Sequence, residues 1–149
     1  MSLKERKATH NQLIIAIDFD KTICDTEYPN IGPFFSNSIE IINKWYDLGA
    51  YIIIWTCRTG QSLYEAEAHL LKNRVKFHKI NDQHPNGLLN FGTEIQLEHN
   101  LHSRKVWSHI LIDDTSIDWM LNGHPGWVKL DLMIKKIIEK NKGHWDIKI

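Results

Sequence analysis

Residues Ile17–Ile23 read IDFDKTI, and they close the apolar run that begins at Leu13 with two carboxylates one residue apart. A continuous apolar stretch that ends in charge suits a central strand buried on both faces. Two carboxylates so close raise each other's cost of ionisation, so the pair calls for a cation, a shared proton or a catalytic use.

Working outward, AYIIIWT (Ala50–Thr56) is rich in β-branched and aromatic residues and reads as a second buried strand. Between the two, Ser36, Asn37 or Ser38 can cap a helix in which Ile39, Ile42 and Tyr46 recur at helical spacing, with Gly49 placed for a C-terminal cap. Ser62 and Glu65 match a capping box, which predicts a helix over Leu63–Arg74. Lys76–Asn81 (KFHKIN) reads as a third strand and His109–Asp113 (HILID) as a fourth. Trp127–Leu130 (WVKL) is taken as a short fifth strand, ahead of helical spacing over Leu130–Ile138. Residues 82–104 show a weak pattern, with a turn at HPNG and a short helix near Thr93–His99.

Strands alternating with helices imply right-handed crossovers and a parallel sheet. The expected fold is α/β: a Rossmann-like three-layer α/β/α sandwich around a mostly parallel, five-stranded sheet. Residues 1–12 form a polar leader and 13–149 a single domain. Ligands in such sheets bind beyond the carboxyl ends of the strands, where Asp18, Thr56 and Asp113 fall.

The chain of 149 residues is long enough to bury roughly 68–70% of its unfolded surface. Eighteen basic residues balance eighteen acidic ones, so net charge neither predicts nor excludes a nucleic-acid partner. Two cysteines, Cys24 and Cys57, make no disulfide framework. The longest apolar runs are strand-sized, well short of the ~20 residues of a membrane helix. A cytoplasmic protein without a membrane partner is the expectation.

In order along the chain, DFDKT, WTCRTG, Lys105 in SRKVW and LIDDTSID resemble the four motifs of the haloacid dehalogenase-like (HAD) hydrolase superfamily, from Leu13 to the end of the chain. Within it, the chain is similar to small bacterial and phage-related hydrolases that share I-D-F-D-x-T-I, Y-P, I-G, W-[ST]-x-R, S-R-K and I-D-D. The resemblance implies a phosphomonoester hydrolase. Asp18 would attack phosphorus to form an aspartyl-phosphate, while Asp20 would protonate the leaving oxygen and then activate water. That division of labour asks for a raised pKa at Asp20 and an ionised Asp18.

Magnesium would be held by Asp18, Asp113 and the main-chain carbonyl of Asp20, with Asp114 or Asp118 acting directly or through water. Lys105 would neutralise Asp18 and the phosphoryl oxygens. Thr56, with the neighbouring Cys57 and Arg58, would hold the transferring group. Asp at position 20 fits phosphatases and phosphotransferases rather than dehalogenases. Neither gap between motifs is long enough for a cap domain with its own core, so the site is expected to be capless, open to a large substrate or covered by another subunit.

The implied substrate is a phosphorylated small molecule, a nucleotide foremost. The alternatives are a phosphatase on nucleic-acid ends or phosphoprotein, and a metal-binding interaction module without turnover.

Several residues have a plainer reading. Thr56 can merely cap its strand, and Arg104 can stand in for Lys105. Arg58 can recognise substrate or pair with an acid. Asp118 can be a helix N-terminal charge. His99, His102 and His109 have no cysteine beside them and read as solvated or core histidines rather than zinc ligands. Trp55, Trp107 and Trp127 read as core, and the lysine-rich tail as the solvated face of a terminal helix.

Overall fold

The strand β1 (Ile14–Asp18) runs through the middle of the molecule, and Leu13, Ile15 and Ile17 are wholly buried. The computed structural model describes residues 11–85 and 106–148. Because successive side chains on a strand point to opposite faces, β1 serves two cores. Leu13, Ile15 and Ile17 join the larger cluster. Ile14 and Ala16 join a smaller one with Tyr51, Ile53 and Val106.

Three further strands complete the described sheet: β2 (Tyr51–Trp55), β3 (Lys79–Ile80) and β4 (Ile110–Ile112). All pairs are parallel, in the order β3-β2-β1-β4. Asp18 pairs in register with Trp55, and Ile17 with both Ile54 and Ile112, so the three carboxyl ends finish level.

Helix α1 (Ser38–Leu48) buries Ile41, Ile42, Trp45 and Tyr46 on one stripe. It ends where Gly49 adopts φ 117° and donates its N–H to the Tyr46 carbonyl, as the sequence predicts. Helix α2 (Gly60–Lys72) begins earlier than predicted, with Thr59 at the N-cap and no side-chain cap bond. The expected Ser62/Glu65 capping box is therefore not formed. Ser62 lies inside the first turn, and its hydroxyl donates back to the Thr59 carbonyl at 2.8 Å.

Two more helices follow β4, α3 (Ile117–Asn122) and α4 (Trp127–Lys140). The predicted fifth strand at Trp127–Leu130 is instead the first turn of α4. A four-residue apolar run is too short to set its own period, whereas Trp127, Leu130, Ile134 and Ile138 together are buried at helical spacing. The described sheet thus has four strands rather than five. The helix expected near Thr93–His99 lies outside the described residues.

The chain steps outward from β1 to β2 to β3, then returns across the sheet to place β4 on the other side of β1. Right-handed crossovers in one direction put their helices on one face, and α1, α2 and α4 all contribute to the larger cluster. The result is a Rossmann-like α/β fold whose strand order reverses between β1 and β4. Residues 19–37, between β1 and α1, carry only isolated bridges.

Trp127 is core as expected, its ring 5.6 Å from that of Trp45. Trp107 departs from expectation: it is exposed, with its ring edge-on to His109 at 4.5 Å. Among the described residues, no helix is long and apolar enough to cross a membrane.

Candidate active site

Asp18 is the last residue of β1, and the chain turns sharply after it. The amides of Thr22, Ile23 and Cys24 all reach the Phe19 carbonyl at 3.0–3.3 Å, with Lys21 at φ 64°. This turn sends the fully buried Thr22 back under the strand end. Its hydroxyl donates to Asp18 Oδ2 at 3.1 Å and accepts the Asp114 amide at 3.1 Å.

The Thr22 carbonyl accepts from Trp127 Nε1 at 3.1 Å and from His124 Nε2 at 3.0 Å. Because His124 Nδ1 accepts the Gly126 amide, its Nε2 carries the proton. One threonine thus ties β1, the loop after β4 and the start of α4 together.

Asp113 and Asp114 follow β4 directly. Asp113 Oδ1 accepts both the amide and the hydroxyl of Thr115, at 2.9 and 2.8 Å. Carboxylate oxygens of Asp18, Asp113 and Asp114 lie within 4.8 Å of one another, each residue half-buried. Burial, then the hydrogen-bonded Asp114 carboxyl, then the charge of Asp113 push the Asp18 carboxyl up to about 8, against the smaller opposing effect of the Thr22 hydroxyl. The resemblance asks for an ionised Asp18, which a cation among the three oxygens would favour.

Thr56 follows β2 and is clamped by Asn81. The Asn81 side chain accepts the Thr56 amide and donates to its carbonyl, both at 2.8 Å. The Thr56 hydroxyl accepts the Arg58 amide at 3.1 Å, so it caps the strand end. Cys57 is exposed on the same turn, whereas Cys24 is buried with its thiol pushed up to about 12, chiefly by burial.

Arg58 takes the acid pairing of the two roles read from sequence. Its Nη2 lies 2.8 Å from Asp20 Oδ1, and its Nε bridges both Asp20 oxygens at 3.0–3.1 Å. The arginine side chain is 0% exposed and that of Asp20 26%.

Lys105, Arg104, His99 and His102 lie outside the described residues. Asp118 sits apart from the acidic group, in the first turn of α3, where it accepts from Asn122 at 2.9 Å. Its position is that of the helix N-terminal charge. His109 Nδ1 accepts the Ile14 amide at 2.9 Å, which makes it a structural partner of β1.

Two residues that organise the site were not singled out from sequence. Thr22 stands inside the quoted DFDKT, so its signal was present. Asn81 at φ 54° offered only its place directly after a strand.

No protein-family model matches this chain. No curated protein matches it either. Among solved structures, a conserved protein from Bacteroides thetaiotaomicron superposes with a TM-score of 0.69 at 28% identity, over 85% of this chain and 92% of that one. The chain is thus similar over most of both lengths to that bacterial protein, and shares with it the Rossmann-like α/β fold.

Proposed function

We propose that this protein is a magnesium-dependent phosphomonoester hydrolase of the haloacid dehalogenase-like kind, acting on a nucleotide or another small phosphate ester. One observation carries the reading: Asp18, Asp113 and Asp114 converge within 4.8 Å at the point where strand order reverses, with Asp20 two residues beyond Asp18 and Thr56 on the adjoining strand end. Ligand sites in open parallel sheets gather at that point.

The residues fit a divalent cation by their chemistry. They are hard oxygen donors from two different strand ends, and three carboxylates this close repel unless a proton or a cation lies among them. Asp18, Asp113, Asp114 and the main-chain carbonyl of Asp20 would hold it. A bound cation supplies charge that offsets both the carboxylates and the phosphate oxygens.

Within this reading, an Asp18 oxygen attacks phosphorus while Asp20 gives its proton to the leaving oxygen. Asp20 then takes a proton from the water that opens the aspartyl-phosphate. Thr56 steadies the transferring group, and Lys105 offsets its charge. Within residues 19–37, Phe19, Ile23, Cys24, Ile31, Phe34 and Phe35 pack with the main core.

The test is phosphate release by purified protein, with and without magnesium, wild type beside Asp18→Asn. The panel holds an aryl phosphate, nucleotides, sugar phosphates and oligonucleotides phosphorylated at either end. Magnesium-dependent release that vanishes in the variant is expected. No release from any substrate by wild type overturns the reading in favour of a binding module.

A further inference from the structure

The Arg58 guanidinium has five N–H donors, and every one is engaged inside the protein. Nε–H is shared between the two Asp20 oxygens, at 3.1 and 3.0 Å. Nη2 donates to Asp20 Oδ1 at 2.8 Å and to the Pro29 carbonyl at 3.3 Å. Nη1 donates to the carbonyls of Pro29 and Ser62, both at 3.3 Å. The guanidinium carbon lies 5.5 Å from the centre of the Phe19 ring and 5.0 Å from that of Tyr28. A side chain with no exposed surface and no uncommitted donor has nothing left to offer a phosphate.

We infer that Arg58 is a positioning residue that acts on the reaction through Asp20, fixing that carboxylate relative to Asp18, rather than a binder of substrate phosphate. The inference rests on the hydrolase reading above and assigns a role within the same site. An aspartate at a strand end, with 26% of its side chain exposed, would otherwise turn about two side-chain bonds. The fork removes that freedom, because two donors in a rigid plane fix both the place and the tilt of a carboxylate. The second anchor is the Pro29 carbonyl, so the loop of residues 25–33 is held to the same guanidinium. Of the Asp20 oxygens, Oδ1 takes the Nη2 bond and a share of the Nε bond, and Oδ2 only a share of the Nε bond. Oδ2 is therefore the oxygen left to handle a proton.

Such a role has a signature that a phosphate binder lacks. A poor leaving group needs the proton that Asp20 delivers, whereas a good one departs without it. A group that acts through Asp20 must therefore matter most for alkyl esters. A phosphate binder matters equally for both, since the transferred group is the same.

The experiment compares kcat and KM for an alkyl phosphate and for 4-nitrophenyl phosphate in wild type, Asp18→Asn, Asp20→Asn, Arg58→Gln, Arg58→Lys and the double variant Asp20→Asn/Arg58→Gln. Circular dichroism establishes folding, and should Arg58→Gln not fold, Arg58→Lys carries the comparison. For Arg58→Gln we expect kcat on the alkyl ester to fall about 10²-fold, within the range of general acid catalysis, and on the aryl ester by less than about fivefold. KM should hardly move. Arg58→Lys should recover part of the loss, and the double variant should be no slower than Asp20→Asn. An equal fall on both esters, or a raised KM with unchanged kcat, overturns the positioning role while leaving the hydrolase reading intact. No release by wild type, or release undiminished in Asp18→Asn, overturns the hydrolase reading itself.

Discussion

The Thr22 hydroxyl stands between Asp18 and the loop after β4, donating a hydrogen bond to Asp18 Oδ2 and accepting one from the Asp114 amide, each at 3.1 Å. Two carboxylates on different strands are thereby set by one buried side chain. Thr22→Val keeps the shape and removes both bonds, leaving the Asp114 amide without that partner. A loss of about 1–3 kcal/mol in stability is expected, together with a fall in phosphatase activity. Thr22→Ser should retain most of both. Urea midpoints and turnover measured on the two variants check this, and a Thr22→Val protein as stable as wild type would refute it.

Gly32 illustrates a different constraint. A Cβ on it would lie 1.7 Å from the Asp25 carbonyl oxygen, a backbone atom that cannot turn aside. The same loop carries the Pro29 carbonyl that Arg58 holds, and it is closed by the Asp25 amide donating to Pro33 at 2.8 Å. Gly32→Ala must therefore open the loop. The expected outcome is a lower melting temperature and faster proteolysis within residues 25–33. An unchanged melting curve and digestion pattern would show that the loop does not need this close approach.

How much of this was legible in the sequence differs by element. β1 and β2 were, since Ile14–Ile17 and Tyr51–Ile54 are apolar on both faces and only a central parallel strand asks for that. The strand-end positions of Asp18 and Thr56 followed from those runs, and that of Asp113 from His109–Asp113. Trp127–Leu130 was misread because its four residues fit either period, and the helix is declared only by Ile134 and Ile138 further on. The start of α2 was missed because Ser62 looks like a cap, while the helix begins at Gly60 after Thr59, which makes no side-chain cap bond. Arg58 was left between two roles because sequence order cannot show which acid, 38 positions away, lies beside it. The three-dimensional structure shows the pairing with Asp20.

Asp131 makes a third prediction, on stability. It joins α4 to α1, accepting Trp45 Nε1 at 3.0 Å and the Lys44 ammonium, with Lys135 at 3.4 Å. Burial alone would raise this carboxyl, but the Lys44 and Trp45 bonds outweigh it and hold it below its ordinary 3.8. A carboxyl depressed in the folded state adds stability that is full above the unfolded value and is lost as pH falls through the folded one. Asp131→Asn should cost about 1–3 kcal/mol at neutral pH, since Trp45 and Lys44 lose a charged acceptor. The gap between variant and wild type should narrow below about pH 4. Urea titrations across that range test the sign, and a gap that stays constant to the acid limit would show the depression to be absent.

The acidic group at the strand ends makes the opposite prediction. Asp18 is pushed up to about 8, first by burial and then by Asp114 and Asp113. A group raised in the folded state adds its stability in full below the unfolded value, near 3.8, and loses it as pH rises toward 8. In chelator, the stability of wild type relative to Asp18→Asn, which has no proton to lose there, should therefore fall as pH rises from about pH 4 to pH 8. Added magnesium should restore wild type most at the alkaline end, where the three carboxylates are ionised, because a ligand that binds only the folded state stabilises it in proportion to its affinity. Asp113→Asn should blunt that response while leaving the chelated protein at least as stable as wild type, since one of three mutually repelling charges is gone. Thermal melts at fixed pH, with magnesium or chelator, separate these outcomes. A wild type that loses no stability relative to Asp18→Asn as pH rises in chelator, or a magnesium response undiminished in Asp113→Asn, would mean that these carboxylates do not form one cation-binding group.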